Sequence, residues 1–185
     1  MNENTGKMIP TSGMPVEGDC FDEIMLRDIV GSMFPLIRVK YLEEAGGFDE
    51  ELLANQDYDA WVRLAEVCYF AFVDEPLAIL HRYDGEHIWS NPSKPLRAAE
   101  RLILKYKDYY ARHPSVLWKK LINLADLYRH NGEYRKFFVT WFKAVKLKPF
   151  RIISNTYNFL IAFLPFGIEL KFLRAFSFRA PRTFK

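Results

Sequence analysis

From residue 94 to residue 176 the apolar side chains recur almost only at helical spacing, and the pattern breaks at Pro114, Gly132, Pro149 and Pro165. A stretch patterned this way does not alternate its side chains across a sheet, so the chain after Asn91-Pro92 is expected to be all-α, with a boundary near residue 92. Upstream the character is mixed. Residues 1–18 are rich in Gly, Pro, Thr, Ser and Asn and read as a loop or leader. Phe21, Ile24, Met25 and Ile29 recur at helical spacing, whereas 32–38 is an apolar run of strand length with Pro35 favouring an edge. Residues 40–45 suit one or two helical turns stopped by Gly46-Gly47, and 48–56 form a loop carrying acids. Tyr58, Trp61, Leu64, Ala65 and Cys68 then share one helical face. Residues 69–73 and 77–81 have the composition of strands on either side of the turn Asp74-Glu75-Pro76. The expected fold is α/β: a leader over 1–18, helices with a few strands over 19–92, and a helical region over 93–185.

Within the helical region, 118–149 is similar to a tetratricopeptide repeat. Leu121, Leu124, Ala125, Tyr128, Gly132, Trp141, Ala144 and Pro149 stand at the repeat's offsets, and Phe137 departs from it where a small residue is usual. A single repeat cannot bury its own faces, so a docking hairpin is expected, packed on a helix over 94–112 and on whatever follows. Beyond it, Phe159, Leu160, Phe163, Leu164, Phe166, Leu170, Phe172 and Phe176 are interleaved with Arg151, Lys171, Arg174, Arg179, Arg182 and Lys185. Two readings of this basic aromatic tail stand side by side: an interfacial helix pair on anionic lipid, or a helical cap on the hairpin. The apolar stretch 159–168 contains Pro165 and Gly167 and falls well short of the roughly 20 residues that span a bilayer. The opening MNENTGKMIPTSG has no apolar core of the signal-peptide kind.

Charge is segregated along the chain. Residues 1–60 carry four Lys/Arg against thirteen Asp/Glu, and residues 61–185 carry twenty-two against ten. The late basic excess suits an anionic membrane face or a phosphorylated ligand, and no nucleic-acid motif accompanies it. Cys20 and Cys68 lack any CxxC or Cys/His spacing, which points to neither a disulfide framework nor a zinc site and fits a reducing, cytoplasmic setting with peripheral association at the membrane.

Two short elements carry the chemistry. Ala45-Gly46-Gly47-Phe48-Asp49-Glu50-Glu51-Leu52 is followed by Gln56-Asp57-Tyr58-Asp59-Ala60-Trp61-Val62-Arg63-Leu64-Ala65, then by Asp74-Glu75-Pro76-Leu77, His81-Arg82 and Gly85-Glu86. In this order the stretch from Phe34 to Asn91 resembles the acceptor-side half of family 2 glycosyltransferases, inverting enzymes of the GT-A fold. The resemblance implies a hexosyltransferase-type activity, moving a sugar from a nucleotide-sugar donor to a glycan or lipid-linked acceptor. It also implies that the nucleotide-sugar-binding half is missing from these residues, so that the chain is inactive alone. A divalent metal, Mn or Mg, is then expected only in the complete enzyme.

By position in that family, Asp57 inherits the role of catalytic base, and Gln56 replaces the usual Glu before it. Phe48, Asp49, Gln56 and Trp61 become acceptor-side residues, and Arg82 a diphosphate contact. His81 and His87 are weak metal candidates, six apart on a loop with no strong metal precedent. Local sequence offers bland alternatives. An acid before a helical run caps it, which is the other reading of Asp57. Asp59 and Arg63 are spaced for a plain i,i+4 pair, although Asp57-Tyr58-Asp59 spells a DxD. Phe48 serves equally as a core anchor and Asp49 as a turn cap, and Trp61 falls on the packing face. A non-catalytic protein- or membrane-docking helical module is the alternative for the whole chain.

Overall fold

The computed structural model describes residues 17–30, 35–73, 75, 77 and 91–149. The leader up to residue 16, the loop with His81, Arg82 and His87, and the tail from residue 150 lie outside the described residues. Among the described residues seven helices run in order: α1 Phe21–Leu26, α2 Val39–Glu44, α3 Gln56–Val67, α4 Ser93–Lys105, α5 Lys107–Arg112, α6 Pro114–His130 and α7 Tyr134–Leu147. The described residues are therefore mostly helical. None of these helices is long and apolar enough to cross a membrane.

The expected strands do not form among the described residues. Residues 35–38 and 69–73 are irregular, and the sole β pairing there is one antiparallel bridge, in which Gly18 and Phe70 exchange backbone bonds of 2.8 and 3.0 Å. Alternating apolar residues supply strand propensity, but a strand persists only where a partner completes the ladder. The second expected strand, 77–81, lies outside the described residues after Leu77.

The chain divides into two compact units, Met1–Tyr106 and Lys107–Lys185. This division falls after α4, whose Arg101 and Lys105 pair with acids of the first unit. The helix expected over 94–112 is correspondingly interrupted at Tyr106.

In the first unit, α2 ends at a turn that needs glycine. Gly46 (φ +83°) and Gly47 (φ +67°) are left-handed, and their N–H groups bond back to the carbonyls of Glu43 (2.9 Å) and Leu42 (2.8 Å), closing the helix in a Schellman motif. The core gathers Ile24 and Met25 of α1 against Tyr58, Ala60, Trp61, Val62 and Leu64 of α3, and the Tyr58 hydroxyl donates to the Met25 carbonyl at 3.2 Å. In the second unit, α6 starts on Pro114, whose missing N–H costs nothing in a first turn, and ends in another Schellman closure through Gly132 (φ +75°). That closure turns the chain into α7, so 114–147 is a helical hairpin. Leu121, Leu124, Ala125, Tyr128 and Ala144 are buried in it. Phe137, the departure from the pattern, is completely buried.

Candidate functional site

The two chemistry-bearing elements meet in the first unit. α3 begins after Asn55, a left-handed residue (φ 57°) whose carbonyl accepts the Asp59 N–H at 3.1 Å. Asn55, not Asp57, is therefore the N-cap, and its side chain makes no cap bond. Gln56 and Asp57 open the first turn and are half-buried, with Asp57 Oδ1 accepting the Tyr58 N–H at 2.8 Å. The positive end of the helix dipole favours a carboxylate there. Among the described residues Asp57 makes no ion pair.

Asp59 is in a different position altogether. It is fully buried, and both of its oxygens are occupied. Arg63 donates from Nε at 2.9 Å, Lys105 Nζ pairs at 2.8 Å, and the Tyr106 hydroxyl donates to Oδ1 at 2.7 Å. The expected Asp59–Arg63 pair exists, at 2.8 Å, but it is one edge of a buried network and not a solvated surface pair. Burial first, and then the hydrogen bond and charge of Asp59, push the Tyr106 phenol far above its ordinary value.

Arg63 continues the network to the glycine turn, donating to the carbonyls of Ala45 and, at 2.7 Å, of Gly47. From that turn Phe48 lays its ring edge-on to Trp61, centroids 6.3 Å apart, while remaining about half exposed. Asp49 folds back on its own loop, its Oδ1 accepting the Glu51 N–H at 3.1 Å, and its Oδ2 receives Lys105 Nζ at 3.1 Å. Arg101 of α4 reaches both Asp49, at 3.5 Å, and Glu51. Burial alone would raise the Asp49 carboxyl, but the Lys105 hydrogen bond, the Glu51 N–H and the charges of Lys105 and Arg101 hold it below its ordinary value. Lys105 thus bridges the acid of each motif.

The residues named from sequence separate by burial. Phe48, Gln56 and Asp57 are reachable from solvent; Asp49 is pinned by α4; Trp61 is only 2% exposed and belongs to the core. The Trp61 indole N–H is buried without a hydrogen-bond partner among the described residues. Arg101, Lys105 and Tyr106 are the residues that motif reading missed. Their signal was the cationic turn of a helix that the sequence boundary had assigned elsewhere.

No group of three or more His, Cys, Asp or Glu among the described residues could hold a metal ion, and the Asp59 of the apparent DxD has no oxygen left to offer one. Both cysteines are free thiols. Burial, followed by the charges of Glu23 and Asp19, pushes Cys20 up to about 11, and burial with the Glu44 charge raises Cys68. Neither is a ready nucleophile at neutral pH. No family model, curated protein or solved structure matches the chain.

Proposed function

We propose that the unit ending at Tyr106 is the acceptor side of a family 2-like glycosyltransferase, with Asp57 as the base that takes the proton of the acceptor hydroxyl. The observation that carries this reading is the union of the two motifs. Arg63 of the second motif bonds the carbonyls of the glycine turn in the first, and Lys105 joins Asp49 to Asp59. Three acids are thereby given different work. Asp49 and Asp59 are neutralised by cations and fix the turn against α3, whereas Asp57 sits at the helix start with no ion pair among the described residues.

In the complete enzyme the acceptor oxygen attacks the anomeric carbon from the face opposite the leaving nucleoside diphosphate. Its proton passes to Asp57 as the new bond forms and the bond to the diphosphate breaks. Transfer is late, from an oxygen already made acidic by its new bond to carbon. Gln56, next to Asp57 in the chain, and Phe48, which packs on Trp61 one turn along α3, are reachable from solvent and are the residues for the acceptor ring and its hydroxyls. The α/β fold of that family needs strands contributed by a nucleotide-sugar-binding half. Leu36, Tyr69 and Val73, apolar and exposed where strands were expected, are consistent with such a missing partner surface. The divalent metal and the Arg82 contact to the diphosphate belong to the same proposal.

Residues 1–185 alone are expected to transfer no sugar from nucleotide donors in the presence of manganese; saturable, metal-dependent transfer would contradict the missing-half reading. In an enzyme completed with a donor half, Asp57→Asn lowers kcat by about 10²- to 10⁴-fold with the fold intact. Asp59→Asn instead acts on stability, by about 3 kcal/mol, because it weakens a buried ion network. Unchanged turnover in the Asp57 variant removes the base assignment. The docking-module alternative rests on the second unit.

A further inference from the structure

α7 presents two apolar sides. Phe137, Thr140 and Ala144 are buried in the hairpin with α6. On the opposite side Arg135, Val139, Phe142 and Lys146 follow at i, i+4, i+7 and i+11, which places them in one stripe along the helix. Val139 and Phe142 are 51% and 55% exposed, and both cations are exposed as well. Lys143 flanks the stripe, and with Arg135, Lys136, Thr140 and Tyr128 it borders an open hollow of about 350 Å³.

The charge of this surface has one sign. α7 contains no Asp or Glu, and the acid just before it, Glu133, is paired with Lys136 at 2.7 Å. Across residues 107–149 there are ten Lys/Arg against three Asp/Glu, of which Asp126 is engaged by Arg129. Residues 150–185 add six Lys/Arg against a single Glu, so that segment cannot neutralise the stripe.

A solvated helix face usually mixes both signs and carries few large apolar groups. Here an aromatic and a branched side chain stand between long-stemmed cations. That order suits a helix lying in a headgroup layer, its ammonium and guanidinium groups at the phosphates and its apolar tips at the acyl boundary. Flexible stems and apolar tips match a fluid anionic surface better than one fixed acidic partner, since the stripe holds no uncharged hydrogen-bonding side chain to define a single geometry. We infer that the outer face of α7 docks on an anionic lipid surface through Arg135, Val139, Phe142, Lys143 and Lys146. This inference is independent of the glycosyl-transfer reading.

The test is co-sedimentation of the full 185-residue chain with phosphatidylglycerol/phosphatidylcholine vesicles and with pure phosphatidylcholine vesicles. Binding is expected on the anionic vesicles only and weakens with added salt. The Lys143→Gln, Lys146→Gln pair lowers the partition constant roughly 25-fold, at about fivefold per cation. Phe142→Ser weakens binding without changing net charge, and Phe142→Trp gives a blue-shifted emission component on vesicles. All of these sites are exposed, so the far-UV circular dichroism stays that of the parent chain, and Arg135→Gln serves as a second charge variant. Wild-type binding by the lysine pair and by Phe142→Ser would overturn the proposal, because another surface would then hold the lipid. No binding to the anionic vesicles, or equal binding to the neutral ones, would overturn it too.

Discussion

The Asp59 carboxylate has three partners, and one of them, Tyr106, makes the stability of the first unit depend on pH in a calculable direction. The folded chain holds the Tyr106 proton more tightly than the unfolded chain does. Unfolding therefore releases that proton once the pH passes the ordinary tyrosine value near 10, and stability falls as the pH rises above it. Asp49 has the opposite sign, because the folded chain holds its proton less tightly. Its contribution is complete above the unfolded value of about 3.9 and is lost as the pH falls through the lower folded value. Urea midpoints measured across pH should form a plateau with a loss on each side. Tyr106→Phe should flatten the alkaline loss and Asp49→Asn the acid one. An alkaline limb identical in Tyr106→Phe would show that the phenol is not held by Asp59.

At the scale of elements, the α6–α7 hairpin has its core at the residue that departs from the repeat pattern. Phe137 is completely buried and meets Phe138 edge-on at a centroid distance of 4.9 Å. A small residue in its place would leave a cavity that the two helices close only by approaching one another. Phe137→Ala brings the sequence nearer to the repeat pattern and yet is expected to destabilise the chain by about 3 to 5 kcal/mol. Phe142→Ala, on the outer face of the same helix, should stay within about 0.5 kcal/mol of the parent. Thermal or urea unfolding of the two variants decides this, and equal effects would mean that α7 is turned differently about its axis. Gly132 belongs to the same element, since its left-handed backbone sets where α6 stops and α7 begins.

For the whole molecule, the two compact units carry opposite charge. Residues 1–106 have ten Lys/Arg against nineteen Asp/Glu, and residues 107–185 have sixteen against four, so the net +3 conceals two fields of opposite sign. The position of the boundary can be tested by truncation. A chain ending at residue 92 loses Arg101, Lys105 and Tyr106 and leaves Asp59 buried without two of its donors, so it should lose its helical circular dichroism. A chain ending at residue 106 keeps the network and should retain a cooperative melt. If the shorter chain melted as well as the longer one, α4 would not belong to the first unit.

What the sequence by itself determined was local. Gly46-Gly47 and Gly132 mark helix ends because only glycine readily takes the left-handed backbone that closes them, and Pro114 marks a start because it needs no hydrogen bond there. Asp59 and Arg63 were legible as a pair because four residues make one helical turn. The tertiary structure alone decided that this pair is buried, that Lys105, 46 positions away, completes it, and that Phe137 is core. It also left 69–73 without a ladder among the described residues. Burial and strand pairing depend on which distant segment arrives, and a periodic pattern read along a window carries no term for that.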